Sequence, residues 1–364
     1  MNRIAFYAPL KAPDHPVPSG DRELARGIKN ALTSNGLGLA VELVSTLRSY
    51  DGQGDSEVQK ALITRAELEV NRLLEAARHN PWRAWVTYHN YYRAPDLIGP
   101  IVSQHLKIPY ILIEASIAPR RRSGPWAEFA RRADQASAQA DIILYLTERD
   151  RTALVEYQSD NQIIAHFPPF LNRQTLPERS MPAEVGPDRE ILTVGMFRHG
   201  DKLASYQIIA AVLQKLSTPS WRLSIVGDGP ARDDVVPLFE GFGENVVFHG
   251  QLAPPALSEL YRSAAVFLWP GVNEAFGMVY LEAQAAGLPI VAQNRPGVRD
   301  VIAPANTLVP VGNLNLLAER LDTLLMSPEL QQTITEKGRD WIKTHHLLDT
   351  AASELTRHLS SVLN

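Results

Sequence analysis

The sequence predicts two parallel α/β domains in tandem, on three observations. Short apolar runs alternate with longer stretches of helical period, the pattern of strand–helix–strand units that build parallel sheets. That alternation stops once, in a proline-rich stretch, and then restarts. The chain has 364 residues, 45% of them apolar, enough to bury two cores rather than one.

The elements follow in order. In the first half, strands are expected over 4–8, 40–44, 84–88, 110–114 and 142–146, with helical stretches over 21–35 and 56–77 between them. The run Ile142-Ile-Leu-Tyr-Leu146 follows an alanine-rich helix and has no polar face, so it reads as a strand buried on both sides. Pro168, Pro169, Pro177, Pro182 and Pro187 then crowd a stretch without apolar period. The expected division is a first domain over 1–170, a linker over 171–189 and a second domain over 190–345. Strands in the second domain are expected over 190–194, 222–226, 246–249, 266–269, 290–292 and 307–309. From 328 to 364 the chain reads as helical throughout, anchored by Leu347, Leu348, Leu355, Leu359 and Leu363. Sheets of this kind bind ligands outside the carboxyl ends of their strands, so with two of them the natural site is a cleft between the domains.

Composition narrows the function. A net charge of −4 provides no basic field for nucleic acid. With no cysteine, disulfides, thiolate metal sites and a cysteine nucleophile are excluded, and no His/Asp spacing of a catalytic metal site is visible. The first nine residues lack the apolar core of a signal peptide, and no run nears the ~20 apolar residues of a membrane span. The expectation is a soluble cytoplasmic protein, with peripheral contact at the inner membrane surface as an open alternative.

The sharpest segment is Asn273-Glu-Ala-Phe-Gly-Met-Val-Tyr-Leu-Glu-Ala-Gln-Ala-Ala-Gly-Leu-Pro289. A short helix should begin near Gly277 and end at Gly287, a natural C-cap. The amides of Phe276, Gly277 and Met278 then lie at a helix N-terminus, where donors and dipole favour an anion. Glu282 sits among apolar neighbours on nearly every face, so it lies on the helix's one wet stripe, pairs with a core arginine, or accepts hydrogen bonds from a ligand diol. Glu274 precedes the helix start, where an acid also favours the dipole.

Glu274 and Glu282, separated by seven residues with Phe276-Gly277 between, resemble the donor-site motif of retaining GT-B glycosyltransferases, in particular glycosyltransferase family 4 (group 1). Leu223-Ser-Ile-Val-Gly-Asp-Gly-Pro230, Val246-Val-Phe-His-Gly250, Leu260 to Leu268, Ala286-Gly-Leu-Pro-Ile-Val291 and Pro296-Gly-Val-Arg-Asp-Val-Ile302 extend the likeness over roughly 190–325. The resemblance implies two Rossmann-like domains facing each other across a cleft. It also implies that the terminal helix 346–364 packs back toward the first domain. It implies a hexosyltransferase acting with retention on a nucleotide-sugar donor, without cofactor or metal. The acceptor would be a carbohydrate, a lipid-linked molecule or a small molecule.

By position, Glu282 would bind the donor's ribose, Glu274 the transferred sugar, and the amides of Phe276, Gly277 and Met278 the sugar and distal phosphate. Arg198 and Lys202, in Val194-Gly-Met-Phe-Arg-His-Gly-Asp-Lys202, look like the family's diphosphate clamp. The family often has arginine directly after that glycine; here the position is Met196, with Arg198 as substitute.

The first half departs further from the pattern. Pro16-Val-Pro-Ser-Gly-Asp-Arg22 resembles the family's acceptor loop, in which Gly20 lets backbone approach a ligand; a plain helix entry capped by Ser19 or Asp21 reads equally well. His89 ends a strand and either lines the cleft or is structural. The family's histidine after the next strand is replaced by Ile113-Glu-Ala-Ser116, which puts Glu114 in the sugar-facing position and points to an unusual donor. Arg120-Arg-Arg122, followed by Gly124-Pro-Trp126, is either a solvated charge run or a surface for an anionic acceptor or lipid. Two rival functions stay open: an epimerase or phosphorylase of the same fold, and a nucleotide-sugar binder without turnover. A nicotinamide dehydrogenase is disfavoured, because no G-x-G-x-x-G follows the first strand of either half.

Overall fold

The computed structural model describes residues 3–17, 19–34, 36, 38–178 and 189–363. The chain divides into two compact units, Met1–Gln174 with Leu347–Asn364, and Thr175–His346.

In the first unit the described strands are β1 (Arg3–Tyr7), β2 (Ala40–Ser45), β3 (Ala84–Asn90), β4 (Tyr110–Ala115), β5 (Ile142–Tyr145) and β6 (Ile163–His166). They form one parallel sheet in the order β2-β1-β3-β4-β5-β6. β3 to β5 are buried over nearly their whole length, as strands inside a parallel sheet are. The helix Ser56–His79 starts where Asp55 accepts hydrogen bonds from the amides of Glu57 at 2.8 Å and Val58 at 3.3 Å. Such a cap is worth about 1 kcal/mol. Leu62, Ala66, Val70, Leu73 and Ala77 recur at helical spacing along its buried face. The helix Leu348–Leu363 belongs to this unit and packs on Gly20–Ser34, burying Leu348, Ala351, Ala352, Leu355 and Leu359.

The second unit contains β7 (Arg189–Val194), β8 (Trp221–Val226), β9 (Val246–Gly250), β10 (Val266–Leu268) and β11 (Ile290–Val291). They form a parallel sheet in the order β11-β10-β7-β8-β9. Strand order therefore reverses between β1 and β3 in the first unit and between β7 and β10 in the second. At such a switch point the loops leaving adjacent strands diverge and open a crevice.

The structure departs from the sequence expectations in several places. Residues 307–309 form no strand: Val309 makes an isolated bridge to Gln293. Pro304 and Pro310, which flank it, have no amide to extend a ladder. The stretch 328–364 is two helices, Pro328–His345 and Leu348–Leu363, because the chain breaks at His346 and Leu347 pairs with Leu171. β6 was not expected at all, and the first unit continues to Gln174, since Phe167, Phe170 and Leu171 are buried despite the prolines beside them. Of the expected linker, residues 179–188 lie outside the described residues, as does Asn35 at the end of the expected helix 21–35.

Candidate functional site

In the second unit the switch point gathers the predicted donor residues. The loop after β7 leads into the helix Asp201–Leu213, and the loop after β10 leads into the helix Met278–Ala286. The two loops are tied together. Asn273 donates to Asp201 Oδ2 at 2.9 Å, and the Val272 amide donates to Ser205 Oγ at 3.2 Å. Glu274 Oε1 accepts from Trp269 Nε1 at 2.8 Å and from the Lys202 ammonium. Lys202 also lies 5.1 Å from the centre of the Trp269 ring. Lys202 and Glu274, given separate duties by the sequence reading, are thus one ion pair.

Three glycines make this geometry attainable, all with positive φ. On Gly277 (φ 82°) a Cβ would come within 2.8 Å of the Tyr280 ring, and on Gly271 (φ 77°) within 2.4 Å of the Tyr280 hydroxyl. On Gly297 (φ 81°) it would lie 1.8 Å from the Ala275 carbonyl oxygen. The 296–298 turn therefore buttresses the backbone that carries Glu274.

The helix Met278–Ala286 begins after Gly277 and ends on Gly287 in the left-handed region, as expected. Among the described residues, the amides of Phe276, Gly277 and Met278 donate to no backbone acceptor. Glu282 is half-buried one turn further on, and the Tyr261 hydroxyl donates to its Oε2 at 3.0 Å. Its neighbours are buried, so it lies on the helix's one accessible stripe. Arg198 is exposed, while Phe197 before it is fully buried against Tyr206 and Phe248. Met196 is only partly buried.

The family match covers these same elements. The family description "Glycosyl transferases group 1" fits residues 178–341. Residues 178–341 are thus similar to the group 1 glycosyl transferases. The sulfoquinovosyl transferase SQD2 of Arabidopsis thaliana is 34% identical over 37% of the chain and 27% of its own length. The D-inositol 3-phosphate glycosyltransferase of Segniliparus rotundus is 24% identical over 73% of the chain and 64% of its own length. The chain thus spans about a quarter of the first relative and under two thirds of the second. Among solved structures, sucrose-phosphate synthase from Thermosynechococcus elongatus has a TM-score of 0.72 at 18% identity, covering 99% of this chain and 100% of that one. HepE of Anabaena, solved with UDP and glucose, has a TM-score of 0.71 at 16% identity, covering 99% and 100%. The fold is the two-domain parallel α/β fold of GT-B glycosyltransferases.

Outside the matched residues, the first unit brings His89 and Glu114 together. They end adjacent strands, β3 and β4, and both hold positive φ, 74° and 60°. A side chain adopts that conformation only where its surroundings impose it. His89 Nδ1 lies 3.4 Å from Glu114 Oε2, with both side chains largely buried. Neither atom has a well-formed hydrogen bond, and nor does the buried Tyr88 hydroxyl beside them. Burial pushes His89 down, but the charge of Glu114 outweighs it, with help from Asp21 and Asp150, and raises His89 to about 9. Glu114 is pushed up by burial and held below its ordinary value by His89. Asp150, capped by Thr147 at 2.9 Å, is raised by burial. The imidazole is thus held in its cationic form chiefly by the neighbouring Glu114 carboxylate.

This pair predicts a pH dependence. The His89 contribution is fully present below its ordinary 6.5 and is lost as pH rises through about 9. The Glu114 contribution is present above its ordinary 4.5 and is lost as pH falls through its lowered value. The pair therefore stabilises most between 4.5 and 6.5 and fades toward 9. Thermal unfolding of wild type and Glu114→Gln should converge over that upper range, and the His89 imidazole should titrate at lower pH in the variant by NMR. An unshifted His89 titration in Glu114→Gln would show that Glu114 does not hold the proton.

Gly20 is the first residue of the helix Gly20–Ser34, and Ser19 Oγ accepts from the Arg22 amide at 3.3 Å. That is the capped helix entry; Pro18 lies outside the described residues. In the basic run, Arg122 pairs with Asp134 at 2.7 Å, whereas Arg120 and Arg121 are exposed. Sequence reasoning missed Trp269, Tyr261 and Gly297. Trp269 ends an expected strand and Tyr261 lies on an expected helix, so both read as core; Gly297 in Pro296-Gly297 was visible only as a turn. Among the described residues, no group of three His, Asp or Glu is placed to hold a metal ion, and no helix is long and apolar enough to cross a membrane.

Proposed function

We propose that the chain is a family 4 hexosyltransferase that moves a sugar from a nucleotide-sugar donor to an acceptor hydroxyl with retention. The observation that carries this is the carboxylate of Glu274, held by Trp269 and Lys202 at the mouth of a helix whose first amides have no backbone acceptor. Those amides receive the distal phosphate and Glu282 the ribose, one helical turn away. Glu274 receives hydroxyls of the transferred sugar. As the bond from the anomeric carbon to the phosphate oxygen breaks, the acceptor oxygen bonds that carbon from the same face. The acceptor proton passes to the departing diphosphate. The charge developing there is met by Lys202, Arg198 and the helix amides, so no divalent ion is required. A relative solved with UDP and glucose supports a diphosphate donor of this class.

The test is release of nucleoside diphosphate from a panel of nucleotide sugars, with and without acceptor hydroxyls and with EDTA present. Turnover should need an acceptor and survive chelation. Activity restored only by a divalent ion would sink the metal-free mechanism, and a requirement for inorganic phosphate would mark a phosphorylase. Lys202→Ala should weaken binding of the diphosphate more than of the nucleoside, by roughly 1.5–3 kcal/mol. Equal losses by isothermal titration would remove Lys202 from the phosphates.

A further inference from the structure

We propose that Arg93 and Arg121 form a phosphate clamp at the carboxyl edge of the first sheet, which on the transferase reading above takes a phosphoryl group of the acceptor. Arg93 follows β3 and Arg121 lies in the short turn Pro119–Arg121 after β4. Their guanidinium carbons share one aromatic platform. Arg93 lies 5.4 Å from the Tyr92 ring centre and 5.2 Å from that of Trp126, and Arg121 lies 5.1 Å from each. The two rings meet edge-on at 5.8 Å.

The platform is built rigidly. Trp126 Nε1 donates to the Asp51 carbonyl at 3.2 Å, and Gln59 Nε2 donates to the Pro125 carbonyl at 2.9 Å. The Asp51 amide donates to the Arg93 carbonyl at 2.9 Å. On Gly54, at φ +75°, a Cβ would come within 2.5 Å of Pro125 Cβ, so this loop sits directly on the 51–59 segment.

Two like charges on one platform favour an anion, and among the described residues the protein supplies none at this place. Among the described residues, neither Arg93 nor Arg121 forms an ion pair, and Arg93 Nε is buried without a hydrogen-bond acceptor. The surrounding carboxylates are committed elsewhere. Asp51 accepts from Gln59 and the amides of Gln53 and Gly54, and Asp55 caps a helix. Asp134 pairs with Arg122, and Glu128 with Arg131 and Arg132. Stacking on rings orients a guanidinium without neutralising it and leaves its planar donor edge free for oxygen. Paired forks of this kind match a phosphoryl group. The clamp also lies close to the other polar cluster of this edge: ring contacts run from Tyr92 to Tyr91 at 5.6 Å and from Tyr91 to His89 at 4.7 Å.

The experiment titrates glycerol 3-phosphate, with glycerol as control, into protein saturated with UDP so that the donor phosphate site is filled. Wild type should bind the phosphate ester and not glycerol. R93Q/R121Q should lose about tenfold or more in affinity, and R121Q alone, at an exposed position, part of it. R78Q/R131Q removes the same charge from exposed ion pairs and should bind as wild type. Sedimentation with phosphatidylcholine vesicles, with and without phosphatidylglycerol, separates the sources. Binding of the soluble ester alone assigns a small phosphorylated acceptor, and binding of phosphatidylglycerol vesicles that R93Q/R121Q abolishes assigns a lipid headgroup; either supports the clamp. Failure of wild type to bind either, equal loss in R78Q/R131Q, or no loss in R93Q/R121Q overturns it. UDP affinity of the same samples should be unchanged by R93Q/R121Q; its absence in wild type would sink the donor reading and leave the clamp result standing.

Discussion

Gly297→Ala should collapse the donor loop although residue 297 bears no reactive group. The added methyl would meet the Ala275 carbonyl oxygen at 1.8 Å, and backbone on both sides cannot yield as a flexible side chain does. The left-handed φ of 81° adds its own strain. Together these should cost about 4 kcal/mol, lowering the melting temperature by roughly 8–16 °C. Relief by backbone movement would shift Ala275 and hence Glu274, so turnover should fall even in the molecules that stay folded. Gly312→Ala is the control. Its φ is 84° but nothing lies within 4 Å of the new carbon, so only the conformational strain of about 1 kcal/mol remains. Equal melting temperatures for the two variants would show that the contact with Ala275 is not what holds the loop.

The second large effect separates the two glutamates. Glu274→Gln keeps an oxygen for the Trp269 indole but removes the charge that pairs with Lys202. Turnover should fall about a hundredfold or more, because the lost contacts are to the group that moves. Affinity for the bare nucleoside diphosphate should hold or rise, since Lys202 is released from its partner. Glu282→Gln should instead weaken that affinity by roughly 1–3 kcal/mol while keeping the Tyr261 hydrogen bond. Isothermal titration with the diphosphate, beside turnover of the full donor, measures both. The reverse pattern would exchange the two assignments, and no change in either variant would remove both from the site.

Much of this was legible in the chain because it depends on neighbours in sequence. Apolar runs marked most strands, and Gly277 and Gly287 bounded their helix correctly because capping is a local matter. The Glu274–Glu282 spacing is likewise contained within one loop and one helix. What could not be read depends on sheet order. Lys202 meets Glu274 only because β10 lies beside β7 in the sheet, although β8 and β9 come between them in sequence. His89 and Glu114 meet because β3 and β4 are neighbours, and their positive φ is imposed by packing rather than by residue type. The contrast with Gly20 is instructive: a glycine in a suggestive loop took ordinary helical backbone, while His89 and Glu114, which disfavour it, took the strained one. Residues 307–309 had the composition of a strand but lacked amides at the flanking prolines.

The helix Leu348–Leu363, which completes the first unit, also sets an order of events during synthesis. The face of Gly20–Ser34 that it covers is made early on the ribosome, whereas its cover emerges only after the whole second unit has been translated. In that interval the second unit, continuous in sequence, can fold by itself, while the first carries an uncovered apolar stripe. The nascent chain is thus most exposed to wrong association on the face of Gly20–Ser34, which stays open until Leu348–Leu363 has been made.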